Sequence, residues 1–333
     1  MRVVDVHAHV IPPAIVEMMR SGSAPDGIRL ENDGGRSWVV HRQGYRYPFL
    51  DAFHDVEARL AVMDGTGVDH ALLSVAPPLF LYWIEAAAAV DAARVINDAV
   101  AAMAAEAPDR FTPVATLPLQ DPHAAVAELR RCIREHGMTS AQIGPHCEGV
   151  PLESEAIRPV LAAANELGVP LILHPYYVGS SPELDDYYLT NLQGNPWQTA
   201  VAASRLILSG TLDDLQELDC VLVHGGGHLP YQIGRLDHGH RVRSEAAAPK
   251  QAPSEYLRRF HYDTLTHRPE ATAWLIAQVG PDRVLYGTDT PFDMGGGSFE
   301  DQLAGAALGD QELEAVAHCN ADRIFNLKES DHG

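Results

Sequence analysis

The sequence predicts an α/β protein of the (β/α)8 or TIM barrel class, with a small antiparallel flap inserted after strand 1. Eight short runs rich in apolar residues alternate with longer helical patterns. Several runs are almost continuously apolar, as expected for strands that are buried on both faces of a parallel sheet. The length of 333 residues is ordinary for a barrel with insertions. We therefore interpret residues 1–333 as a single barrel domain.

The eight predicted strands are 2–6, 70–75, 111–116, 140–143, 170–173, 220–223, 261–263 and 284–286. Repeated alternation of strand and helix favours a closed parallel barrel. An open doubly wound sheet is the alternative, but its first strand would lead into a glycine-rich phosphate loop. Here Asp5 is followed by histidines and by Ile11-Pro12-Pro13, so the closed barrel is favoured.

Helical patterns between the strands include 83–107, 122–136 and 154–167. Two stretches interrupt the alternation. Residues 27–48 contain two short alternating runs, 28–31 and 38–41, around Asp33-Gly34-Gly35, which predicts the antiparallel flap. Residues 176–195 are polar and aromatic and follow the fifth strand. Both lie on the side where strands end, and we expect them to cover a site there.

Composition excludes several classes of partner. The chain has 24 basic and 45 acidic residues, a formal net charge of -21, which repels nucleic acid and anionic membranes. No apolar run approaches the ~20 residues that span a bilayer, and the first residues lack the layout of a signal peptide. The four cysteines are scattered without a C-x-x-C pair, which predicts reduced thiols in a cytoplasmic protein. A small-molecule carboxylate is the expected ligand.

The motif Asp5-Val6-His7-Ala8-His9 is the first signal of a metal site. Residues two apart on a strand point the same way, so His7 and His9 can bind one ion. His174 and His224 directly follow the fifth and sixth predicted strands, and Asp289 follows the eighth after Gly287 and Thr288. Barrel enzymes assemble their active sites at that end of the strands. We therefore expect these five side chains to converge.

The set predicts a divalent metal ion held by His7, His9, His174 and Asp289. Three imidazoles and one carboxylate favour zinc, with manganese, iron or cobalt as alternatives. His224 is expected to act as a base toward metal-activated water, so His224 and Asp289 are the candidate catalytic residues. The alternatives for His224 are a fifth ligand or a structural core histidine. The run Gly225–Gly227 would let the backbone approach a substrate closely.

The positions of the two lysines, Lys250 and Lys328, argue against two kinds of active site. None occurs in the first six strands, so those strands supply neither a bridging modified lysine nor a Schiff-base lysine. The metal centre should be mononuclear. No G-x-S-x-G motif is present in the sequence, which argues against a serine nucleophile.

Ten motifs together resemble the amidohydrolase superfamily, within it the metal-dependent decarboxylase branch typified by 2-amino-3-carboxymuconate-6-semialdehyde decarboxylase. They are V-D-V-H-A-H (4–9), M-D-G-T-G-V-D (63–69), P-L-Q-D (118–121), Q-I-G (142–144), L-I-L-H-P (171–175), L-I-L-S-G (206–210), H-G-G-G (224–227), G-R-L-D (234–237), P-S-E-Y (253–256) and G-T-D-T-P-F (287–292).

The resemblance implies the same four metal ligands and gives His224 the handling of the water proton. It implies that Arg235 is donated across a homodimer interface to a substrate carboxylate. Arg46 resembles the family's other carboxylate-binding arginine, with Arg42 as the alternative. Tyr176 and Phe292 are expected to line the substrate pocket.

Two departures from the family pattern leave the substrate open. Tyr176-Tyr177 follows His174-Pro175 where the decarboxylases favour Trp, and His228 directly follows the glycine run. We expect both changes to line the pocket, where His228 would add an acid or base. The resorcylate and carboxyvanillate decarboxylases tend to have Glu-x-His on strand one, and this chain has His7-x-His9.

The leading hypothesis is therefore metal-dependent non-oxidative decarboxylation of an unsaturated or aromatic carboxylic acid. The alternative is metal-dependent hydrolysis or hydration of a lactone, amide or conjugated acid, because the same groups serve that chemistry. A third hypothesis is a metal-binding partner protein without activity. A purely structural zinc site is closed by four ligands and has no need of an aligned His224.

Overall fold

The computed structural model describes residues 1–42, 44–176 and 182–327. Its strands are β1 (Val4–Val10), β2 (Arg29–Asp33), β3 (Arg36–Val40), β4 (Arg46–Pro48), β5 (His70–Val75), β6 (Phe111–Pro113), β7 (Ala115–Thr116), β8 (Ala141–Ile143), β9 (His146–Cys147), β10 (Val150–Pro151), β11 (Leu171–Leu173), β12 (Cys220–Leu222), β13 (Phe260–Asp263) and β14 (Val284–Leu285). Its α-helices are α1 (Pro13–Ser21), α2 (Val56–Thr66), α3 (Ala86–Ala105), α4 (Pro122–His136), α5 (Arg158–Leu167), α6 (Asn195–Leu208), α7 (Thr211–Asp214), α8 (Leu229–Val242), α9 (Pro269–Val279), α10 (Phe299–Leu303), α11 (Asp310–Glu314) and α12 (Asn320–Phe325).

The parallel strands close into a barrel. Their order is β1-β5-β6 followed by β7-β8-β11-β12-β13-β14. The two halves join at Val114, whose amide donates to the Leu73 carbonyl at 3.0 Å. On the other side, the amide of Val6 donates to the Tyr286 carbonyl at 3.0 Å, and Ala8 forms an isolated parallel bridge with Thr290. The barrel predicted from the alternation of strands and helices is confirmed.

Two apolar layers hold the barrel together. Alternate strand residues such as Val4, Leu72 and Ile172 form a buried inner cluster, and Phe325 of helix α12 packs into the same cluster. The remaining strand residues form a larger cluster with the surrounding helices. Burial of each such side chain contributes roughly 1.5–3 kcal/mol. This packing gives the strand ends a rigid base.

The predicted flap is present and has three antiparallel strands. Strand β2 pairs with β3, with Arg29 opposite Val40, and β3 pairs with β4, with Trp38 opposite Pro48. Gly34 and Gly35 have positive φ angles of 59° and 79°, as a tight hairpin turn requires. The sequence pattern predicted two of these strands, and β4 is an addition.

Two helices begin later than the sequence predicts, because side-chain hydrogen bonds set the residue at which each helix starts. Helix α4 has its predicted bounds, but α3 begins at Ala86 because the Glu85 carboxylate accepts hydrogen bonds from the first amides of the helix. Helix α5 begins at Arg158 because Ser154 closes a separate turn with the amide of Ile157. Of the predicted cover 176–195, residues 177–181 lie outside the described structure. No helix in the described ranges is long and apolar enough to cross a membrane.

Candidate metal centre and active site

Four of the predicted side chains meet at the carboxyl ends of the barrel strands. One ligand atom from each of His7, His9, His174 and Asp289 lies within 4.8 Å of the others. Asp289 Oδ1 is 2.9 Å from His9 Nε2, 3.4 Å from His7 Nε2 and 3.9 Å from His174 Nε2. In the described part of the chain no second group of this kind is found.

Backbone hydrogen bonds fix these ligands in place. The amide of Asp289 donates to the His7 carbonyl at 2.7 Å, and the amide of His9 donates to the Thr290 carbonyl at 2.8 Å. The segment that carries Asp289 is thereby paired with β1. Asp289 itself has a φ of 60°, a left-handed conformation that is strained for a residue other than glycine and is common at functional sites.

The ligand atoms themselves indicate a metal. His7 Nε2, His9 Nε2, His174 Nε2 and Asp289 Oδ1 are buried, and none has a hydrogen-bond partner among the described residues. An unsatisfied buried polar atom costs roughly 1–3 kcal/mol, so four that face one point need a common partner. Three nitrogens and one oxygen are a donor set that suits a divalent ion. The residues present therefore fit a bound metal.

The opposite ring nitrogens of the histidines have partners that orient the rings. His7 Nδ1 lies 2.7 Å from Asp263 Oδ2, and His9 Nδ1 lies 3.1 Å from the Ser74 hydroxyl. His174 Nδ1 contacts the carbonyl of Pro175. The carboxylate and the carbonyl can only accept a hydrogen bond, so they fix the tautomers of His7 and His174 that leave Nε2 free for the metal.

Asp263 was not predicted from the sequence, yet it contacts both His7 and the loop after His224. Its second oxygen, Oδ1, accepts hydrogen bonds from the amides of Gly225 at 2.7 Å and Leu265 at 3.2 Å. The carboxylate is fully buried at the end of β13. Its position at the end of the seventh predicted strand is the signal that could have identified it, because active-site residues of barrel enzymes lie at that end of the strands.

Burial and neighbouring carboxylates shift the pKa values of the three histidines. Burial lowers the pKa of His9 to about 4 and that of His174 to about 3, so both rings are neutral ligands. Burial also opposes protonation of His7, but Asp289 and Asp263 outweigh it and raise its pKa to about 10. A metal must therefore displace a proton from His7 when it binds.

His224 lies beside the metal ligands. Its Nε2 is 3.9 Å from Asp289 Oδ2, and its ring centroid is 5.3 Å from that of His174. The loop after it requires glycine: a Cβ on Gly226 would lie 2.7 Å from the Tyr262 ring, and one on Gly227 would overlap the Pro196 carbonyl. The glycine run therefore lets this loop pack tightly and fixes the position of His224.

Two cavities open beside the metal ligands and share Asn191, Asn195, Asp289 and Met294. The first, here called the His224 cavity, has a volume of about 420 Å³. The second, the aromatic cavity, has a volume of about 40 Å³. The His224 cavity is lined in addition by His224, Gly225, Tyr231, Thr266, His267 and Trp274, among others. The aromatic cavity is lined in addition by Tyr45, Pro77, Pro78, His174, Pro175, Tyr176, Tyr188, Thr190, Phe292 and Asp293.

Comparison with known proteins identifies the family. The sequence model described as Amidohydrolase matches residues 4–327. This chain belongs to the amidohydrolase family.

Several relatives of this amidohydrolase are decarboxylases. It is 30% identical over 295 residues to 2-amino-3-carboxymuconate-6-semialdehyde decarboxylase of Dictyostelium discoideum, covering 88% of this chain and 82% of the relative. It is 31% identical over 291 residues to gamma-resorcylate decarboxylase of Rhizobium sp. (strain MTP-10005), covering 81% and 87%. The structure of 5-carboxyvanillate decarboxylase from Sphingomonas paucimobilis aligns with a TM-score of 0.82 at 26% identity, covering 98% and 100%. These matches confirm the resemblance to the decarboxylase branch.

Tyr176 and Phe292 of this amidohydrolase both line the aromatic cavity. The Phe292 ring centroid is 5.4 Å from that of His9. The Tyr176 hydroxyl is 3.0 Å from His146 Nδ1 and accepts the amide of Glu148 at 3.1 Å. These bonds anchor the Tyr176 ring beside the metal ligands.

The structure does not bring Arg46 or Arg42 to the metal ligands. The Arg46 guanidinium stacks 4.1 Å from the Trp38 ring centroid and pairs with Asp33 at 3.2 Å. Arg42 is exposed, 3.6 Å from Asp26. Neither arginine lines the two cavities.

His228 and Arg235 also lie outside both cavities of their own chain. His228 is exposed and lines a separate depression with Glu153 and Ser204. The expectation that it lines the substrate pocket is wrong, because the chain turns at Gly227, with φ of 63°, and enters helix α8. Arg235 is exposed on α8.

Proposed function

We propose that this amidohydrolase is a metal-dependent non-oxidative decarboxylase of an unsaturated or aromatic carboxylic acid. The observation that carries the proposal is the convergence of His7, His9, His174 and Asp289, with His224 beside them at the wall of a cavity. The decarboxylases among its relatives support the same reaction.

Zinc is the metal that we propose, because three neutral imidazoles and a carboxylate form a borderline ligand set. Manganese, iron and cobalt are alternatives for the same ligands. When bound, the metal supplies a Lewis acid that polarises the oxygens of the substrate.

Side chains of the protein bind the substrate and transfer the proton. Tyr176 and Phe292 bind the flat face of the substrate. His224 donates a proton to the carbon that bears the carboxylate. The bond between that carbon and the carboxylate then breaks, its electron pair restores the conjugated system, and CO2 leaves.

We further propose a homodimer in which Arg235 binds the substrate carboxylate of a second copy. The side chain is exposed and has no hydrogen bond or ion pair within the described ranges. Tyr231 and Val242 lie on the same face of α8 as Arg235, since side chains three to four positions apart share a helix face. They are 75% and 58% exposed.

All four cysteines are free thiols, which supports a cytoplasmic location.

The test is metal-dependent CO2 release from dihydroxybenzoic and conjugated dienoic acids. Chelation should abolish release, and added zinc should restore it. His224→Ala should lose about 100-fold or more of kcat, the contribution typical of a positioned acid or base. The matched control is His228→Ala, which removes an exposed histidine four residues away. Full turnover in His224→Ala would remove that residue from the mechanism.

Hydrolysis or hydration is the alternative, because His224 faces a cavity of about 420 Å³ that can admit water. Incorporation of isotopically labelled water into the product without CO2 release would support it.

A further inference from the structure

Four residues line both the His224 cavity and the aromatic cavity and form the boundary between them. They are Asn191, Asn195, Asp289 and Met294. Asp289 is one of the four side chains that converge on the metal position, and Met294 is apolar. The carboxamides of Asn191 and Asn195 therefore supply the side-chain hydrogen-bond donors at this boundary.

Both carboxamides are available to a ligand. Their backbones are held, since the backbone amide of Asn191 donates to the Tyr188 carbonyl at 3.0 Å and the Asn195 carbonyl accepts the Thr199 hydroxyl at 3.3 Å. Among the residues that the structure describes, neither side-chain carboxamide has a hydrogen-bond partner. Each carries two N–H donors and a carbonyl acceptor, so the pair can donate several hydrogen bonds to one ligand group.

The segment that carries the two amides has an unusual backbone. A π-helical turn, Thr190–Gly194, contains Asn191 and leads directly into α6, which begins at Asn195. Positions four apart share a helix face, whereas Gln193 between them is exposed and lines neither cavity. Because π-helical turns are rare and occur frequently at functional sites, the backbone is a second indication that this segment binds a ligand.

A substrate of the proposed reaction has to reach both cavities. Its ring or conjugated chain packs against Tyr176 and Phe292 in the aromatic cavity, and the carbon that bears its carboxylate takes a proton from His224 in the other cavity. That carbon and its carboxylate therefore lie where the cavities meet, beside Asn191 and Asn195. Carboxylate oxygens are strong acceptors, and hydrogen bonds to a charged group are roughly twice as strong as neutral ones.

We propose that Asn191 and Asn195 bind and orient the departing carboxylate of the substrate through their side-chain N–H groups. They perform from the cavity wall the task that the sequence prediction gave to Arg46, which the structure holds in the flap. The Arg235 that we propose from a second copy would add its charge to the same carboxylate. This inference rests on the proposed decarboxylase function.

The test compares two ligands that differ by the carboxylate alone, 2,6-dihydroxybenzoate and resorcinol. Calorimetric Kd values are measured with the zinc-loaded His224→Ala protein, in which turnover is slow. In this parent protein, Asn191→Leu and Asn195→Leu keep the approximate size of each side chain but remove its amide. We expect each to weaken binding of the acid by about tenfold or more, as for loss of a hydrogen bond to a charged group. Resorcinol lacks that group, so its Kd should change by less than about twofold.

Gln193→Leu is the matched control, because it makes the same chemical change between the two amides at an exposed position that lines neither cavity. It should leave both Kd values unchanged. Asn195→Asp is a second variant of nearly the same shape as the parent residue. Its negative charge should repel the carboxylate and weaken binding of the acid at least as much as leucine does, while resorcinol still binds.

The outcomes separate this inference from the proposed function. Leucine variants that bind the acid as the parent protein does, or that lose the acid and resorcinol equally, would overturn the inference and leave decarboxylation standing. A loss confined to the acid would support the contact between the amides and the carboxylate. If the enzyme with His224 intact then released no CO2 from any acid, the proposed reaction alone would be contradicted.

Discussion

The carboxylate of Asp263 connects metal ligand His7 to the loop that carries His224. Its Oδ2 lies 2.7 Å from His7 Nδ1, while its Oδ1 accepts the amide of Gly225, the residue after His224. Each oxygen therefore serves a different part of the site. Because the carboxylate is fully buried, neither bond can be replaced easily by solvent.

Asp263→Asn should weaken metal binding while the fold is retained. The asparagine oxygen can keep the bond from Gly225, but its amide then faces His7 Nδ1 and requires that nitrogen to accept. The ring proton would move to Nε2, which faces the metal. We expect a loss of roughly 10–100-fold in metal affinity, measured by competition with a chromogenic chelator.

Ser74→Ala is the control for Asp263→Asn, since a hydroxyl that contacts His9 Nδ1 at 3.1 Å imposes no tautomer. Its effect on metal affinity should be smaller. An Asp263→Asn protein that melts at lower temperature but binds metal like the wild type would show a purely structural role.

Arg46→Gln should have little effect on catalysis. The guanidinium is engaged with Trp38 and Asp33 in the flap, so we expect kcat/KM within about twofold of wild type. Arg235→Gln should instead raise KM by about tenfold or more, as for loss of a charged hydrogen bond of ~1.5–3 kcal/mol. Steady-state kinetics on the same acid compares the two. The reverse ranking would show that Arg46 reaches the substrate.

Gly227→Ala should be strongly destabilising. The residue has a φ of 63°, and an added Cβ would overlap the backbone carbonyl of Pro196. The left-handed conformation alone costs about 1–3 kcal/mol for a residue with a side chain, and relief of the overlap must move the loop after His224. We expect a lower temperature of thermal unfolding and a slower release of CO2.

The matched control for Gly227→Ala is Gly65→Ala in helix α2, where an added Cβ meets nothing within 4 Å. Alanine is the better helix former there by up to ~1 kcal/mol. Equal unfolding temperatures for the two variants would contradict the packing described for the glycine run.

Glu128 gives a pH-dependent contribution to stability that is separate from the site. Burial raises its pKa, but hydrogen bonds from Arg131 at 2.7 and 2.8 Å and from Asn97 at 2.8 Å outweigh this and hold the pKa below 4.5. A depressed pKa stabilises the fold above the unfolded value, and this stabilisation is lost as pH falls through the folded value.

Glu128→Gln should therefore lower the free energy of unfolding by roughly 1–3 kcal/mol at neutral pH. The difference from wild type should shrink as pH falls below 4.5, the ordinary pKa. Glu135→Gln is the control, because that exposed side chain contacts the same Arg131 and surface pairs contribute little. Denaturant titrations at several pH values provide the measurement, and a pH-independent difference would contradict the assignment.

The sequence was sufficient for features that depend on local periodicity. His7 and His9 could be placed on one face of a strand because side chains alternate, and His174 and Asp289 could be placed because each follows an apolar strand. Barrel closure then brings the strand ends together. The fold and the convergence of these four side chains could therefore be predicted without tertiary information beyond the barrel itself.

Contacts between segments that are far apart in the sequence could not be predicted from local periodicity. Asp263 acts through hydrogen bonds to His7 and Gly225, which only the folded backbone brings near. The outward orientation of Arg46 follows from the alternation of side chains along β4. Tyr47 is buried and faces inward, so its neighbour Arg46 faces outward. The turn at Gly227 that carries His228 away depends on a backbone conformation that spacing cannot reveal.

The metal centre can be tested directly by locating the metal in crystals of the zinc-loaded protein by anomalous scattering. We predict one anomalous peak per chain, bonded to His7, His9, His174 and Asp289, with His224 close by but not bonded. Two peaks, or a peak that lacks His174 or Asp289, would contradict the mononuclear centre on which the proposed reaction depends.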